Sequence, residues 1–111
     1  MILVITRMKV IPEKRMELSQ TIASLSVSIR KKRGCRRWDF SQSIEDENRL
    51  FLLEEWDTQK NLTAHLKSEH FTVLRGAMNL LKEPYESCRS EMRRWSQPES
   101  VRLVMETSRV G

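Results

Sequence analysis

Residues 50–71, with the sequence LFLLEEWDTQKNLTAHLKSEHF, decide the fold of this chain. The first seven residues, Leu50 to Trp56, are rich in the apolar and aromatic types that suit a buried strand. Asp57 and Thr58 follow, and their side chains can accept hydrogen bonds from the open N–H groups at the start of a helix. The stretch therefore predicts a strand that runs directly into a helix.

The second half of the stretch predicts two consecutive helices that pack on a sheet. Leu62, His65 and Leu66 recur at i, i+3 and i+4, which places them on one helix face. Ser68 is a second cap, and a second apolar stripe follows it at Phe71, Leu74, Met78 and Leu81. Two histidines, His65 and His70, thus lie where the helical layer meets the sheet, and small-molecule chemistry is expected there.

The flanking sequence completes an alternation of strands and helices. Met1–Val10 is apolar on both faces, which is typical of a central strand. Residues 14–33 show a helical stripe that Gly34 ends. The remaining predicted strands are Cys35–Ile44, Arg49–Asp57 and Tyr85–Trp95. The order β-α-β-β-α-β, with the second helix divided, predicts an α+β, ferredoxin-like fold with an antiparallel four-stranded sheet and helices on one face.

The same residues carry a family resemblance. The motif E-x-W-x-(s/t)-x-x-x-(l/a)-x-x-H-x-x-(s/t)-x-H-F resembles that of the antibiotic biosynthesis monooxygenase domain, and here it consists of Glu54, Trp56, Thr58, Leu62, His65, Ser68, His70 and Phe71. The resemblance also includes Gly34-Cys35 and the Pro12-Glu13-Lys14 turn, and it covers roughly residues 1–95. It implies a dimeric α/β barrel. The family includes oxygenases, haem-degrading enzymes, isomerases and proteins without known activity.

Composition limits the classes of function. A chain of 111 residues forms one domain, here residues 1–96, with a C-terminal extension at 97–111. Its 39% apolar and 32% charged residues are typical of a soluble protein. No run is long enough to span a membrane and the start is too short for a signal segment, so a cytoplasmic location is expected. Cys35 and Cys88 fit no metal or redox pattern and are expected to remain thiols.

The net charge of +5 raises the question of nucleic acid. The basic clusters at 30–33 and 36–37 flank the end of a helix and a turn, where basic residues interact favourably with the helix dipole. No nucleic-acid motif accompanies them. We therefore expect neither a nucleic-acid nor a membrane partner, although a basic binding module for nucleic acid or an acidic partner remains a third hypothesis.

His65, Arg7 and Arg75 are the candidate catalytic residues. A neutral histidine suits acid–base chemistry near pH 7, and an arginine can stabilise an oxyanion. The alternative for His65 and His70 is a structural role. Their spacing of five residues excludes a His-x-x-x-His zinc pair, and no glycine-rich loop indicates a nucleotide cofactor. We expect neither a metal nor a cofactor.

Six side chains are candidates for the wall of an aromatic-binding pocket. They share a predicted position between the sheet and the helices, and they are Trp38, Phe40, Trp56, His70, Phe71 and Leu74. An apolar pocket with few polar groups is what a planar aromatic substrate requires. The alternative is that these aromatic residues simply fill the core.

The resemblance also distinguishes between branches of the family. The haem-degrading branch requires an Asn on the first strand, a Trp on the second helical segment and an axial His. The corresponding positions here are Thr6 or Arg7, His65 and Arg75, so haem binding is not expected. The leading hypothesis is a cofactor-independent monooxygenase-like enzyme that oxidises a quinol, phenol or polyketide-like ring with O₂. The alternative is a non-oxidative isomerase or a ligand-binding dimer.

Two predictions concern assembly. The sheet has helices for only one of its apolar faces, so we expect a homodimer that buries the open faces, as the resemblance also implies. Beyond a linker at Gln97-Pro98, residues Val101 to Thr107 are too apolar to remain in water. We expect them to form an extended segment against the partner subunit's sheet, which would lock the dimer.

Overall fold

A computed structural model of the protein describes residues 1–92 and 101–110. Its elements are β1 (Ile2–Lys9), α1 (Arg15–Arg30), β2 (Cys35–Gln42), β3 (Arg49–Trp56), α2 (Gln59–Leu66), α3 (Glu69–Ala77), β4 (Tyr85–Met92) and β5 (Val101–Val110), with 3-10 turns at Pro12–Lys14 and Met78–Leu80. Trp95 and the predicted linker at Gln97-Pro98 lie outside the described residues.

The predicted α+β, ferredoxin-like fold is confirmed. The sheet order is β2-β3-β1-β4-β5, and every neighbouring pair is antiparallel. The first four strands are those of the βαββαβ unit, and β5 extends the sheet at the edge of β4. The long helix is shorter than predicted, because a turn over residues 31–34 precedes β2.

Strand β1 is the centre of the unit and alternates as predicted. Its even-numbered residues from Ile2 to Met8 are buried beneath the helices. Leu3 and Ile5, which point to the opposite face, are only half-buried. The face without helices therefore carries apolar side chains that this single chain does not cover.

Helix α1 closes one side of the core. Leu18, Ile22 and Ile29 are fully buried in it. The chain then turns at Gly34, whose φ of 85° lies in the left-handed region that favours glycine. A Cβ at this position would collide with the side chains of Asp57 and Asn61. Gly34 is thus fixed both by its backbone conformation and by the close approach of the β3–α2 junction.

Helices α2 and α3 begin at the predicted caps. The Thr58 hydroxyl accepts a hydrogen bond from the backbone N–H of Asn61 at 3.2 Å. The Ser68 hydroxyl accepts one from the N–H of Phe71 at 3.3 Å. These two caps set the start of each helix and hence hold α2 and α3 over β1 and β3.

The C-terminal segment is extended, as expected, and is a full strand. β5 pairs with β4 of its own chain from Tyr85 opposite Val110 to Met92 opposite Val101, with a shift of register between Arg89 and Glu91. The segment therefore joins the sheet of its own chain. Because β4 has a free edge in the four-stranded unit, it offers the nearest unpaired backbone groups. Whether the segment locks a dimer stays a prediction.

No helix among the described residues has both the length and the apolar character needed to cross a membrane.

Candidate active site

A cavity of about 210 Å³ lies between the sheet and helices α2 and α3. Its apolar lining comes from both layers and includes Val4, Leu52, Leu62, Leu74 and Met78. Six further lining residues carry polar groups, and they are Thr6, Glu54, Arg75, Tyr85, Ser87 and Arg89. The cavity is smaller than the roughly 300–1,000 Å³ of sites for drug-sized ligands, so it suits a molecule of about one ring.

Glu54 is the acidic side chain of this cavity. It lies on β3 between Leu52 and Trp56, at a position where the alternation of the strand points into the core, and its exposed fraction is 6%. Its Oε1 accepts a hydrogen bond from Nε1 of Trp56 at 3.1 Å. Burial raises the pKa of Glu54 to about 7, although the Trp56 hydrogen bond and the positive charges of Arg89 and Lys32 oppose this shift. A carboxyl group with such a pKa is suited to proton transfer near neutral pH.

His65 lies behind Glu54, enclosed by aromatic rings. It is 2% exposed. Its ring stacks on Trp56 with a centroid distance of 4.7 Å and an interplanar angle of 22°. The rings of Trp38 and Phe71 each approach it edge-on at 5.7 Å. His65 is therefore part of a packed aromatic cluster and does not line the cavity.

The hydrogen bonds of His65 define its tautomer. Nζ of Lys32 lies 2.9 Å from Nδ1 of His65 and donates a second hydrogen bond, of 2.6 Å, to Oγ of Ser68. Because an ammonium group only donates, Nδ1 is the acceptor and the ring proton is assigned to Nε2. Nε2 has no hydrogen-bond partner among the described residues, and it faces Oε1 of Glu54 at 3.8 Å. Burial and then the Lys32 charge lower the pKa of His65 to about 4.

This arrangement favours a positioning role for His65. At neutral pH its ring carries no charge, the lone pair of Nδ1 is used by Lys32, and the Nε2 proton points at Glu54. No free lone pair is left for taking a proton from a substrate. Glu54, in contrast, reaches the cavity directly.

The structure brings three of the nine predicted site residues to the cavity, which are Phe71, Leu74 and Arg75. Trp38 and Trp56 are fully buried, and the Trp38 indole donates a hydrogen bond to Ser26 at 3.0 Å, so both belong to the wall behind Glu54. Phe40 packs against the core and His70 is half-buried on α3, but neither lines the cavity.

Arg7 lies on the opposite face of the sheet from His65 and Glu54. As an odd-numbered residue of β1 it points away from the helices, and its guanidinium forms an ion pair of 2.9 Å with Glu86. The predicted grouping of Arg7 with His65 is therefore not found in this chain. Among the strand residues whose side chains are described, Arg89, on the helix-facing side of β4, is the arginine that lines the cavity.

The sequence prediction omitted Glu54 as a site residue, together with the polar groups of Thr6, Ser87, Tyr85 and Arg89. A signal for Glu54 was present, because it is the one charged residue in the inward series Leu50, Leu52, Glu54 and Trp56. A carboxyl group in a buried series is rare unless it is paired or functional. In the part of the chain that the structure describes, no three His, Cys, Asp or Glu side chains are grouped as metal ligands.

Comparisons with known proteins agree with this architecture. The sequence model of the family "Antibiotic biosynthesis monooxygenase" matches residues 1–76. The chain is 31% identical over 94 residues to "Putative monooxygenase YcnE" of Bacillus subtilis (strain 168), a match that spans 83% of this chain and 98% of that protein.

Solved structures with the same fold include two whose chains align over most of their length. A conserved protein from Methanosarcina mazei Go1 superposes with a TM-score of 0.76 at 29% identity, over 79% of this chain and 88% of that one. Rv0793 from Mycobacterium tuberculosis superposes with a TM-score of 0.79 at 24% identity, over 86% and 98% of the two chains.

Proposed function

The chain belongs to the antibiotic biosynthesis monooxygenase family, and from this premise we propose that it is a cofactor-independent monooxygenase that uses Glu54 as its base. Its substrate would be a quinol, phenol or polyketide-like aromatic compound, and its oxidant O₂. Family membership and the description of the Bacillus subtilis relative support the reaction class. The size of the cavity favours the smaller of these rings.

The observation that carries the proposal is the environment of Glu54. Its carboxyl group lines an apolar cavity, is 6% exposed and has a pKa raised by burial to about 7. A phenolic hydroxyl in the cavity lies in the same low-dielectric surroundings. Proton transfer to a base whose pKa matches the working pH is the contribution that this chemistry requires of a protein.

The reaction follows from deprotonation. Glu54 accepts the hydroxyl proton of a quinol, and the electron-rich anion passes an electron to O₂. The resulting pair of radicals combines to form a C–O bond at a ring carbon, and Glu54 returns its proton to the outer oxygen to give a hydroperoxide. The O–O bond then breaks as the ring carbon loses its hydrogen, and water leaves. One quinol and one O₂ thus give one hydroxyquinone and one water, with the quinol supplying all the electrons.

The neighbours of Glu54 support these steps. Nε1–H of Trp56 donates to Oε1, which holds the carboxylate in one orientation. Nε2–H of His65 faces the same oxygen at 3.8 Å and would stabilise the ionised form if the two side chains approached each other. Phe71 and Leu74 restrict water, so the anionic substrate is consumed by O₂ in a dry site.

A non-oxidative function is the second candidate, and Thr6 favours it. The polyketide-oxidising branch of the family uses an Asn on the first strand, which this chain lacks. Here Thr6 lines the cavity, and its hydroxyl is hydrogen-bonded to that of Ser87 at 2.9 Å. A buried base beside hydroxyl groups also suits enolisation. An isomerase of this kind would move a proton on the same ring without consuming O₂.

Oxygen uptake distinguishes the two candidates. Wild-type protein, Glu54→Gln and Glu55→Gln are supplied with substituted hydroquinones, phenols and anthrones in an oxygen electrode, and products are analysed after reaction in ¹⁸O₂. Glu55 is the matched control, because it faces the other side of the sheet near Arg37. We expect uptake by wild type and Glu55→Gln, one labelled oxygen per product, and strongly reduced uptake by Glu54→Gln. Absence of uptake across the panel would overturn the oxidative proposal.

We also propose that the protein is a homodimer. The face of the sheet opposite the helices presents half-buried apolar side chains, which are Leu3, Ile5, Phe51 and Leu53. A second copy that covers this face would remove them from water. The cavity at Glu54 lies on the other face and would stay accessible in such a dimer.

A further inference from the structure

We propose that the ring bound beside Glu54 carries an anionic substituent, a carboxylate, and that Arg89 and Arg75 bind it. This inference rests on the proposed function only in placing the reacting hydroxyl of the ring beside Glu54. Binding of an aromatic acid is a property of the cavity itself and can be measured without turnover.

The register of the sheet places Glu54 and Arg89 at opposite sides of the cavity floor. Val4 on β1 is paired with Glu54 on β3 and with Arg89 on β4. Directly paired residues project to the same face, so the carboxyl group and the guanidinium flank Val4 in one row. Two strand spacings separate their backbones by about 10 Å. A single ring with a polar group at each end can lie over Val4, with one polar group toward Glu54 and the other toward Arg89.

Arg75 approaches the cavity from the helical layer. Its guanidinium carbon lies 5.2 Å from the centre of the Phe71 ring, a contact that holds the planar group against the aromatic wall. Stacking of this kind leaves the N–H groups at the edge of the guanidinium able to donate in its plane. Arg75 and Arg89 both line the cavity. A carboxylate bound in it can therefore accept hydrogen bonds from two guanidinium groups, which suit this acceptor.

Arg75 and Arg89 differ from Arg7 and Arg37 in their ion pairs. Arg7 pairs with Glu86, and Arg37 lies within ion-pair distance of Asp39 and Glu55. Among the side chains that the structure describes, no carboxylate forms an ion pair with Arg75 or Arg89. Among its described lining residues, the cavity holds one acid, Glu54, against two guanidinium groups. Its charge is therefore complementary to an anion.

The next row of the sheet adds neutral donors near the same end. Thr6 on β1 is paired with Ser87 on β4, and their hydroxyl oxygens are 2.9 Å apart. Both line the cavity. The hydroxyl that accepts this hydrogen bond keeps its own proton, so together with the two guanidinium groups it gives a carboxylate several donors. Leu52 and Leu62 supply apolar lining for the ring. Polar binding at one end and a base at the other define a hydroxylated aromatic acid.

The test is calorimetric binding of benzoate and of its neutral counterpart benzamide, at pH 6. Benzoate is ionised at that pH while Glu54 is mostly protonated, so the carboxyl group of Glu54 does not repel it. We expect benzoate to bind at least roughly tenfold more tightly than benzamide, and Arg89→Gln and Arg75→Gln each to weaken benzoate binding by roughly tenfold or more. Arg7→Gln, on the far face of the sheet, should leave binding unchanged. Circular dichroism checks that each variant is folded.

Two further variants remove alternative explanations. Arg89→Lys keeps the charge and should retain part of the affinity, which a purely structural role in β4 would not require. Glu106 lies opposite Arg89 on β5, and Glu106→Gln should bind benzoate at least as tightly as wild type. Equal affinity for benzoate and benzamide, or equal losses in Arg7→Gln and Arg89→Gln, would overturn the inference. Tight benzoate binding without oxygen uptake on any quinol would instead contradict the proposed reaction and leave this inference standing.

Discussion

Oε1 of Glu54 and Nε2 of His65 face each other at 3.8 Å inside the protein, and burial shifts the pKa values of the two groups in opposite directions. Near pH 7 the carboxyl group is therefore roughly half protonated, and the imidazole is uncharged. The pair is therefore not an ion pair at neutral pH. It is a carboxyl group that reaches the cavity, backed by a neutral ring that Lys32 orients.

Replacing Glu54 by Gln should abolish most of the activity while preserving the fold. The amide oxygen of Gln can still accept the hydrogen bond from Trp56, but the side chain can no longer accept a proton. General bases contribute about 10²–10⁴-fold to rate, and we expect kcat/KM for a quinol to fall by a factor in that range. Steady-state oxygen uptake measures it, with Glu55→Gln as control. Glu54→Gln retaining more than half of the wild-type rate would remove Glu54 from the mechanism.

The stability of the protein should depend on pH through two opposing contributions. The folded-state pKa of Glu54 is about 7 against an ordinary value of 4.5, so between these pH values the folded protein holds a proton that the unfolded chain has lost. That contribution to stability falls as pH rises. For His65, with a pKa of about 4 against 6.5, the unfolded chain holds the extra proton, and stability rises with pH in that window.

Single variants should separate these contributions, each of which is at most on the order of 3 kcal/mol. In Glu54→Gln only the histidine remains, so the free energy of unfolding should increase from pH 4.5 to 6.5. In His65→Asn only the carboxyl group remains, and the free energy of unfolding should decrease from pH 4.5 to 7. Wild type should change little. Urea denaturation at these pH values tests the direction of each change. If the free energy of unfolding depends on pH in the same way in all three proteins, the pKa of neither group is shifted.

Gly34 and Gly76 should respond in opposite ways to substitution by Ala. Gly34 has a φ of 85° and is enclosed by Asp57 and Asn61, so Gly34→Ala should lower the free energy of unfolding by roughly 2 kcal/mol or more. Gly76 is helical with nothing within 4 Å of an added Cβ. Gly76→Ala should therefore stabilise the protein by up to about 1 kcal/mol. Thermal or urea unfolding of both variants measures these changes in the free energy of unfolding. An equal change at both sites would contradict the structure around Gly34.

Local signals were sufficient to predict most of the fold. Thr58 and Ser68 cap helices α2 and α3, as their side chains predicted. Gly34 lies in the left-handed region, but α1 already ends at Arg30, before the turn that contains this glycine. The two apolar faces of β1 correctly predicted a central strand, although only its even-numbered face is fully buried. The pairing of β5 could not be predicted in this way, because periodicity shows that a segment is extended but not which edge it joins.

The site was only partly predictable, and the reasons differ from residue to residue. The alternation of β1 already directs Arg7 away from the helices, so its choice as a catalytic residue conflicted with the strand pattern. Arg89 lies in Tyr85–Met92, where no regular apolar alternation indicates which side faces the cavity. The role of Glu54 depends on its burial and on Trp56 and Lys32 around it. Such an environment arises only from the packing of β3 against α2 and is not contained in the spacing of residues.

Removing residues 98–111 should weaken dimerisation without unfolding the βαββαβ unit. The deletion takes away β5, which extends the sheet beside β4, so the sheet face available to a second copy becomes narrower. Sedimentation velocity at micromolar concentration should show a dimer for the full chain and a larger monomer fraction for the truncated one. If the truncated chain dimerises as tightly, the extension does not lock the dimer. A stable monomer of the full chain would contradict the dimer itself.

The pH dependence of kcat/KM tests the role of Glu54 most directly. Quinol oxidation is followed by oxygen uptake from pH 5 to 9 in wild type and in His65→Asn, in which the nearby imidazole is absent. Because the ionised carboxylate is the base, the rate should rise through a pKa of about 7 in both proteins. Glu54→Gln should lose that ascending limb. A limb that disappears in His65→Asn and persists in Glu54→Gln would assign the base to His65 and contradict this account.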